Sequence, residues 1–246
     1  MLAGHYATAL VAKQHAPRGA LAYYLVASQL PDLLWLAFHF LGLEPTTPTN
    51  PMDVSLKAIA VDMTYSHDLL PTLGWIVLVT LAGRALFGSW RPALVGGLLL
   101  VAHAVTDYVG GFPHHVFGPD SHEVGTGLYL TAPYLAVALE GAFTVAMLAW
   151  VVRTDTKAGV ARSRGTWRAW IGVFGGGLAF MFLSADMSLS ELTGMEPPPA
   201  MDGWAVPVLV TTYVAMIAAL LWADRQPTRP RLARDAEPLL SSPGAA

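Results

Sequence analysis

Residues 92–111 read PALVGGLLLVAHAVTDYVGG, a run apolar enough to cross a bilayer that nevertheless carries His103 and Asp107 in its second half. On a helix, side chains four residues apart sit one above the other on the same face. The imidazole and the carboxylate therefore point the same way, within reach of one ion. Water does not solvate them there, and an ionisable group in a membrane helix is costly unless it is paired, lines a cavity or binds something. The pair marks either a functional site with partners elsewhere in the chain or a His–Asp hydrogen bond that ties two helices together.

The rest of the chain places this helix among others of its kind. Of 246 residues, 54% are hydrophobic and 13% charged, with a mean hydropathy of +0.48, which is too apolar for a soluble domain of this length. Stretches long enough to span run roughly over 20–41, 69–87, 92–111, 128–152, 170–185 and 204–223. The fold class this predicts is all-α: a polytopic integral membrane helical bundle of about six transmembrane helices. It forms one domain over residues 1–223, with the metal-type motifs in 1–125, followed by a Pro-, Arg- and Ser-rich disordered cytoplasmic tail over 224–246. A net charge of -3 points to no nucleic acid partner, and the bilayer is the partner the composition implies. With no cysteine, a metal must be held by nitrogen and oxygen donors. The first residues carry no basic group ahead of their apolar part and do not read as a cleaved signal peptide.

Basic residues fall on alternate loops: Lys13 and Arg18, Arg84 and Arg91, Arg153 to Arg168, and Arg225 to Arg234. The other loops are acidic, with Lys57 their only base. Because positively charged loops stay in the cytoplasm, both termini are expected there and the His- and Asp-rich loops outside.

Four places on the outward half offer metal-type ligands. Asp32 follows Pro31 within an apolar run, where the proline breaks the helical ladder and opens a turn to an ion or to water. In straight helices, Asp32 would lie about 13 Å and His103 about 12 Å below their outer ends, at matching depth. His39, seven residues on, reads as an interface histidine between Phe38 and Phe40. His67 and Asp68 stand at the mouth of the next span, with Ser66 available as a cap. After Asp107 comes a pliable loop, GGFPHHVFGPDSHEVGTG, with His114, His115 and His122. His5 presents a conflict. In a simple topology it sits a membrane thickness from Asp32, so either it lies outside the site or residues 3–30 form a re-entrant helix that breaks at Pro31 and carries His5 to Asp32. Glu140, midway along the fourth span, reads as a partner of the ligands or as a helix-packing group.

In order along the first half of the chain stand Gly4-His5, Leu30-Pro31-Asp32, Tyr65-Ser66-His67 and His103-Ala104-Val105-Thr106-Asp107. This series resembles the YdjM-type family of membrane-bound metal-dependent hydrolases of the bacterial inner membrane. That family's pattern is an early histidine, a Pro-Asp step, a His-rich segment ending Thr-His-Ser and a membrane His-x-x-x-Asp. The chain departs from it at Asp62, where the family has a further histidine, at Ser66 for threonine and at Asp68 for serine. A carboxylate can replace imidazole as a ligand while changing the charge and metal preference of the site.

The resemblance implies a divalent metal held by His67, His103, Asp107 and Asp32, with His5 and Asp62 as further ligands. Mixed imidazole and carboxylate donors suit zinc or manganese. The reaction implied is hydrolysis of an ester or phosphoester, the nearest substrate being lipid-linked, with His114 or His115 as general acid. The competing expectation is an ion or proton transporter using His103, Asp107, Asp32 and Glu140. It needs polar groups continuing toward the cytoplasm, whereas the helix below His103 reads VGGLLLVA. A third is a non-catalytic membrane protein whose His/Asp set only locks helices.

Overall fold

The structure, a computed structural model, describes residues 2–16 and 20–230. Helices make up its body, and strands appear only as two-residue pairs in loops. α1 (Leu2–His15) and α2 (Leu21–Ser28) run antiparallel, and α3 (Leu30–Phe40) turns away from α2 by 65°. α4 (Leu69–Phe87) and α5 (Trp90–Gly110) form a second antiparallel pair. A single turn, α6 (Leu128–Thr131), leads into α7 (Pro133–Lys157). α8 (Arg164–Trp170), a π-helical turn over Ile171–Gly175 and α9 (Gly176–Leu183) make one span. α10 (Leu189–Thr193) lies in a loop, and α11 (Ala205–Asp224) is the last helix.

Five helices are long and apolar enough to cross a membrane, or six if the bent pair α2–α3 counts as one. Their outward residues include Leu73, Val77 and Leu81 on α4 and Phe182 and Leu183 on α9, all at least half exposed and suited to lipid. The chain is a multi-pass membrane bundle whose apolar outer face meets lipid. Two of the expected spans differ in form. Residues 20–41 are broken rather than straight, so the depth estimate for Asp32 does not hold. The short span at 170–185 instead begins at Arg164 and accommodates an extra residue in its π turn.

The break has a clear cause. Pro31 has no N–H to return to the preceding turn, and Gln29 leaves helical geometry at φ -116° and ψ 9°. The Gln29 side chain then donates to the Leu2 carbonyl at 2.9 Å, which ties the end of α2 to the start of α1. At the far end of α1, Lys13 pairs with Asp224 and Gln14 donates to Asp155 at 3.0 Å. α1 therefore starts at the end of the bundle that holds the α5 C-terminus and finishes at the basic end. Leu2, the first described residue, thus lies at the end opposite Lys13, whereas Asp224 lies at the basic end. The expected disordered tail falls, from Arg231 on, outside the described residues, while Arg229–Pro230 pair with Val160–Ala161.

Small residues set the helix spacing. α1 buries Ala3, Gly4, Ala7, Ala9 and Ala12, which lets α2 and α7 close around it. Between α4 and α5 the Tyr23 hydroxyl fits a notch formed by Gly83 and Gly96 and donates to the Val79 carbonyl at 3.0 Å. A β-carbon on Gly83 would come within 2.9 Å of the Ala93 α-carbon, a backbone atom that cannot swing aside. Gly83→Ala is expected to cost about 1–3 kcal/mol by overpacking, read as a lower Tm in detergent. Gly74→Ala, with nothing within 4 Å of its added carbon, should leave Tm unchanged.

Candidate metal centre

Three segments converge at the α5 C-terminal end of the bundle. Asp32 comes from the first turn of α3, His67 from just ahead of α4, and His103 and Asp107 from one face of α5. One donor atom from each lies within 4.8 Å of all the others, and all four residues are buried. Each is fixed from behind. Glu44, itself buried, accepts from the N–H groups of Tyr65 at 2.6 Å and Ser66 at 2.8 Å, and so sets the segment that ends in His67. Burial pushes the Glu44 carboxyl up from its usual value, against the pull of those N–H groups. The Tyr108 and Thr72 hydroxyls donate to the His67 carbonyl at 2.9 and 3.0 Å, and Ser66 Oγ lies 2.7 Å from His67 Nδ1.

His103 carries the most information. Its Nδ1 lies 2.8 Å from the Ser28 carbonyl, the carbonyl at the α2–α3 break. A carbonyl only accepts, so Nδ1 carries a proton, and Nε2 is the ring nitrogen left toward the cluster. That Nε2 is buried, makes no hydrogen bond, and yet lies 3.1 Å from Asp107 Oδ2. A cation between the nitrogen and the carboxylate oxygen would be within reach of both.

The spacings suit such a cation. Donors at about 2.1 Å around a tetrahedral ion stand about 3.4 Å apart. Here His103 Nε2 to Asp107 Oδ2 is 3.1 Å, His67 Nε2 to Asp32 Oδ1 is 3.3 Å, and His67 Nε2 to Asp107 Oδ2 is 3.7 Å. Each carboxylate turns one oxygen to this centre and gives the other to a neighbour. The Tyr213 hydroxyl donates to Asp32 Oδ2 at 3.0 Å, and His5 Nε2 lies 3.1 Å from Asp107 Oδ1. The two-nitrogen, two-oxygen set thus fits a divalent metal in chemistry and in reach, and the outer partners fix its orientation.

His5 reaches the site by neither expected route: α1 and α2 are separate antiparallel helices, and α1 carries His5 to Asp107 and His103 rather than to Asp32. It lies beside the donors rather than among them, stacked on His103 with ring centroids 3.7 Å apart and bonded to the outer oxygen of Asp107. Glu140 is a helix anchor: Oε1 accepts from the Ala3 N–H at 2.6 Å and the Gly4 N–H at 3.4 Å, and Tyr129 donates to Oε2 at 3.3 Å. It therefore neutralises the start of α1, one turn from His5.

His114 stacks parallel on His67 at 5.3 Å and leaves a buried Nδ1 without a partner. Burial, with the nearby His67 adding to it, lowers its imidazole to about 3. His114 is therefore neutral at ordinary pH and is not the ready proton donor of a general acid.

Two expected residues lie elsewhere. Asp62 Oδ1 accepts from the Thr64 N–H at 3.0 Å in a local turn, and Asp62 lies outside the four-donor group. His115 follows His114 in a strand, so its side chain takes the other face. There its own N–H donates to Asp68 Oδ1 at 2.9 Å.

A cavity of about 110 Å³ lies against the cluster, with Asp32, His67, Asp107, His114, Tyr129 and Tyr213 among its lining. The sequence had marked neither tyrosine. No family model, curated protein or solved structure matches this chain.

Removing the anchor of α1 tests how the centre is held. Glu140→Ala strands two buried N–H groups and should cost about 1–3 kcal/mol, seen as a fall in Tm in detergent. Glu140→Gln keeps an accepting oxygen and should fall less.

Proposed function

We propose that this chain is a membrane-bound metal-dependent hydrolase acting on an ester or phosphoester. The observation that carries the reading is the buried group Asp32, His67, His103 and Asp107, one donor atom of each within 4.8 Å of all the others, with His103 Nε2 at 3.1 Å from Asp107 Oδ2 and in no hydrogen bond. Asp32, His67, His103 and Asp107 hold the metal. Tyr213 and His5 orient the two carboxylates through their outer oxygens. When bound, the metal supplies an acidified water and a polarised ester or phosphoryl oxygen. His114 lines the cavity beside His67, where its buried Nδ1 can hydrogen-bond an occupant.

Zinc suits the four-donor spacing, with manganese next for its tolerance of carboxylates. The order of the His and Asp motifs supports membership of the YdjM-type family. A transporter would need Glu140 in its path, and that carboxylate is engaged at the start of α1. Toward the basic end α5 continues through Gly96 and Gly97, packed by Tyr23 and Thr80.

With the basic end in the cytoplasm of a bacterial inner membrane, the centre opens toward the periplasmic side. The Leu2 end of α1 then lies on that side as well, and Asp224 on the other.

Detergent-purified protein should contain about one divalent ion per chain by elemental analysis, the amount one four-donor site holds. Asp107→Ala and His103→Ala should lower that content at least about tenfold and abolish hydrolysis of nitrophenyl ester and phosphoester substrates. Chelation should lower Tm, and zinc or manganese should restore it. Metal-free protein with a Tm indifferent to chelator would overturn the reading. Reporter fusions at Ser121 and Gly159 should map to opposite sides of the membrane.

A further inference from the structure

Among the described residues that line the cavity beside the cluster, the exposed one, Phe180, belongs to the lipid-facing span α8–α9. At the end of the bundle nearest water the cavity is roofed by the segment running from Val54 to Ile59. The roof is latched to the end of α9: the Leu56 N–H donates to the Ser184 carbonyl at 2.8 Å, and Lys57 Nζ pairs with Asp186 at 2.7 Å. Below the roof the wall is made by α9 and α11. These helices touch near Gly177, whose added β-carbon would lie 3.4 Å from the Met216 methyl. One turn nearer the cluster they are parted by the cavity, which Phe180 and Leu209 line from either side. Phe180 is 54% exposed, the one exposed residue among the described residues that line the cavity, and its neighbours Phe182 and Leu183 are lipid-facing residues of the same span.

Size adds a second argument. Pockets that enclose a whole small molecule measure about 300–1,000 Å³, against about 110 Å³ here. The cavity has room for a reacting headgroup linkage, and the remainder of the molecule must lie outside it.

We infer that the substrate is a membrane-resident amphiphile which enters sideways, its ester or phosphoester linkage meeting the cluster and its hydrocarbon chain leaving between α9 and α11 past Phe180 and Leu209. This rests on the hydrolase reading for the fate of the headgroup, but not for the path of the chain. An apolar chain in the gap keeps the wall it displaces against hydrocarbon, whereas a water-borne polar substrate would have to pass the latched roof.

The test uses full-length protein in phosphatidylcholine vesicles containing a small share of phosphatidylcholine with a diazirine in one acyl chain. Photolysis and peptide mapping should find label on Trp35 and Met63, which line the cavity and are buried from the outer surface, as well as on Phe182 and Leu183. Leu209→Trp, which narrows the gap, should reduce the Trp35 and Met63 label at least about fivefold while the Phe182 label persists, with the Tm of the variant reporting that it folds. Label confined to the outer residues of the wild-type protein would overturn the lateral path, as would inner label unaffected by Leu209→Trp. The outcome is independent of metal: inner label in a protein that binds no metal would leave the path standing and remove the hydrolase reading, and bound metal without inner label would do the reverse.

Discussion

Two carboxylates and two imidazoles are brought within 4.8 Å of one another in a low-dielectric interior, where carboxylate charge is costly without a positive partner close by. The architecture around the cluster makes sense as a means of holding that approach. Asp32 is turned inward by a helix break and held by Tyr213. Asp107 is drawn toward His5. His67 is fixed through its own carbonyl by two hydroxyls and through the preceding peptides by Glu44. Each restraint is a neutral or anionic hydrogen-bonding partner acting on an outer atom, so the inner atoms are left to face one another.

The same restraints explain why the first three helices are arranged as they are. α1, with 14 residues, is too short to cross the bilayer core by itself and too buried to lie on its surface. Its role is to bring His5 alongside His103 from the centre of the bundle. For that its N-terminal N–H groups, which have no partner within the helix, must be satisfied in an apolar setting, and Glu140 with Tyr129 does this from α7 and α6. The small residues of α1 permit the close approach, with the Phe143 ring directly against Gly4. The break after α2 serves two residues at once: it redirects Asp32 and it exposes the Ser28 carbonyl that engages His103 Nδ1.

Much of this was legible in the sequence, and the parts that were not share a cause. His103 and Asp107 declared themselves by helical spacing inside an apolar run, and Asp32 by a proline that a membrane helix would otherwise avoid. The six-span bundle followed from hydropathy. Tyr213 was invisible because it is one aromatic residue among many in an apolar helix, and only the antiparallel register of α11 against α3 brings its hydroxyl to Asp32. Ser28 acts through its backbone, which no residue pattern reports. Glu44 lay in a loop whose acidic residues looked equivalent. The same blindness to loop geometry made Asp62 look like a ligand and His115 like a general acid: a two-residue turn keeps the carboxylate on its own backbone, and strand alternation turns the ring away from its neighbour.

The remaining alternative, a His/Asp set that merely locks helices, can be weighed by asking where its protons would go. A locking pair is most stable when a proton lies between imidazole and carboxylate in a straight hydrogen bond, worth about 1.5–3 kcal/mol with a charged partner. His5 and Asp107 provide such a bond at 3.1 Å. His103 Nε2, equally close to the same carboxylate, makes no hydrogen bond to it, while Nδ1 is engaged by the Ser28 carbonyl. A bundle shaped only for rigidity gains nothing from bringing a second imidazole to contact distance without closing that bond, whereas a bundle shaped to receive a cation needs both donor atoms beside it. One ring bonded to Asp107 and its neighbour held close to the same group without such a bond is the arrangement expected of a ligand beside its supporting partner.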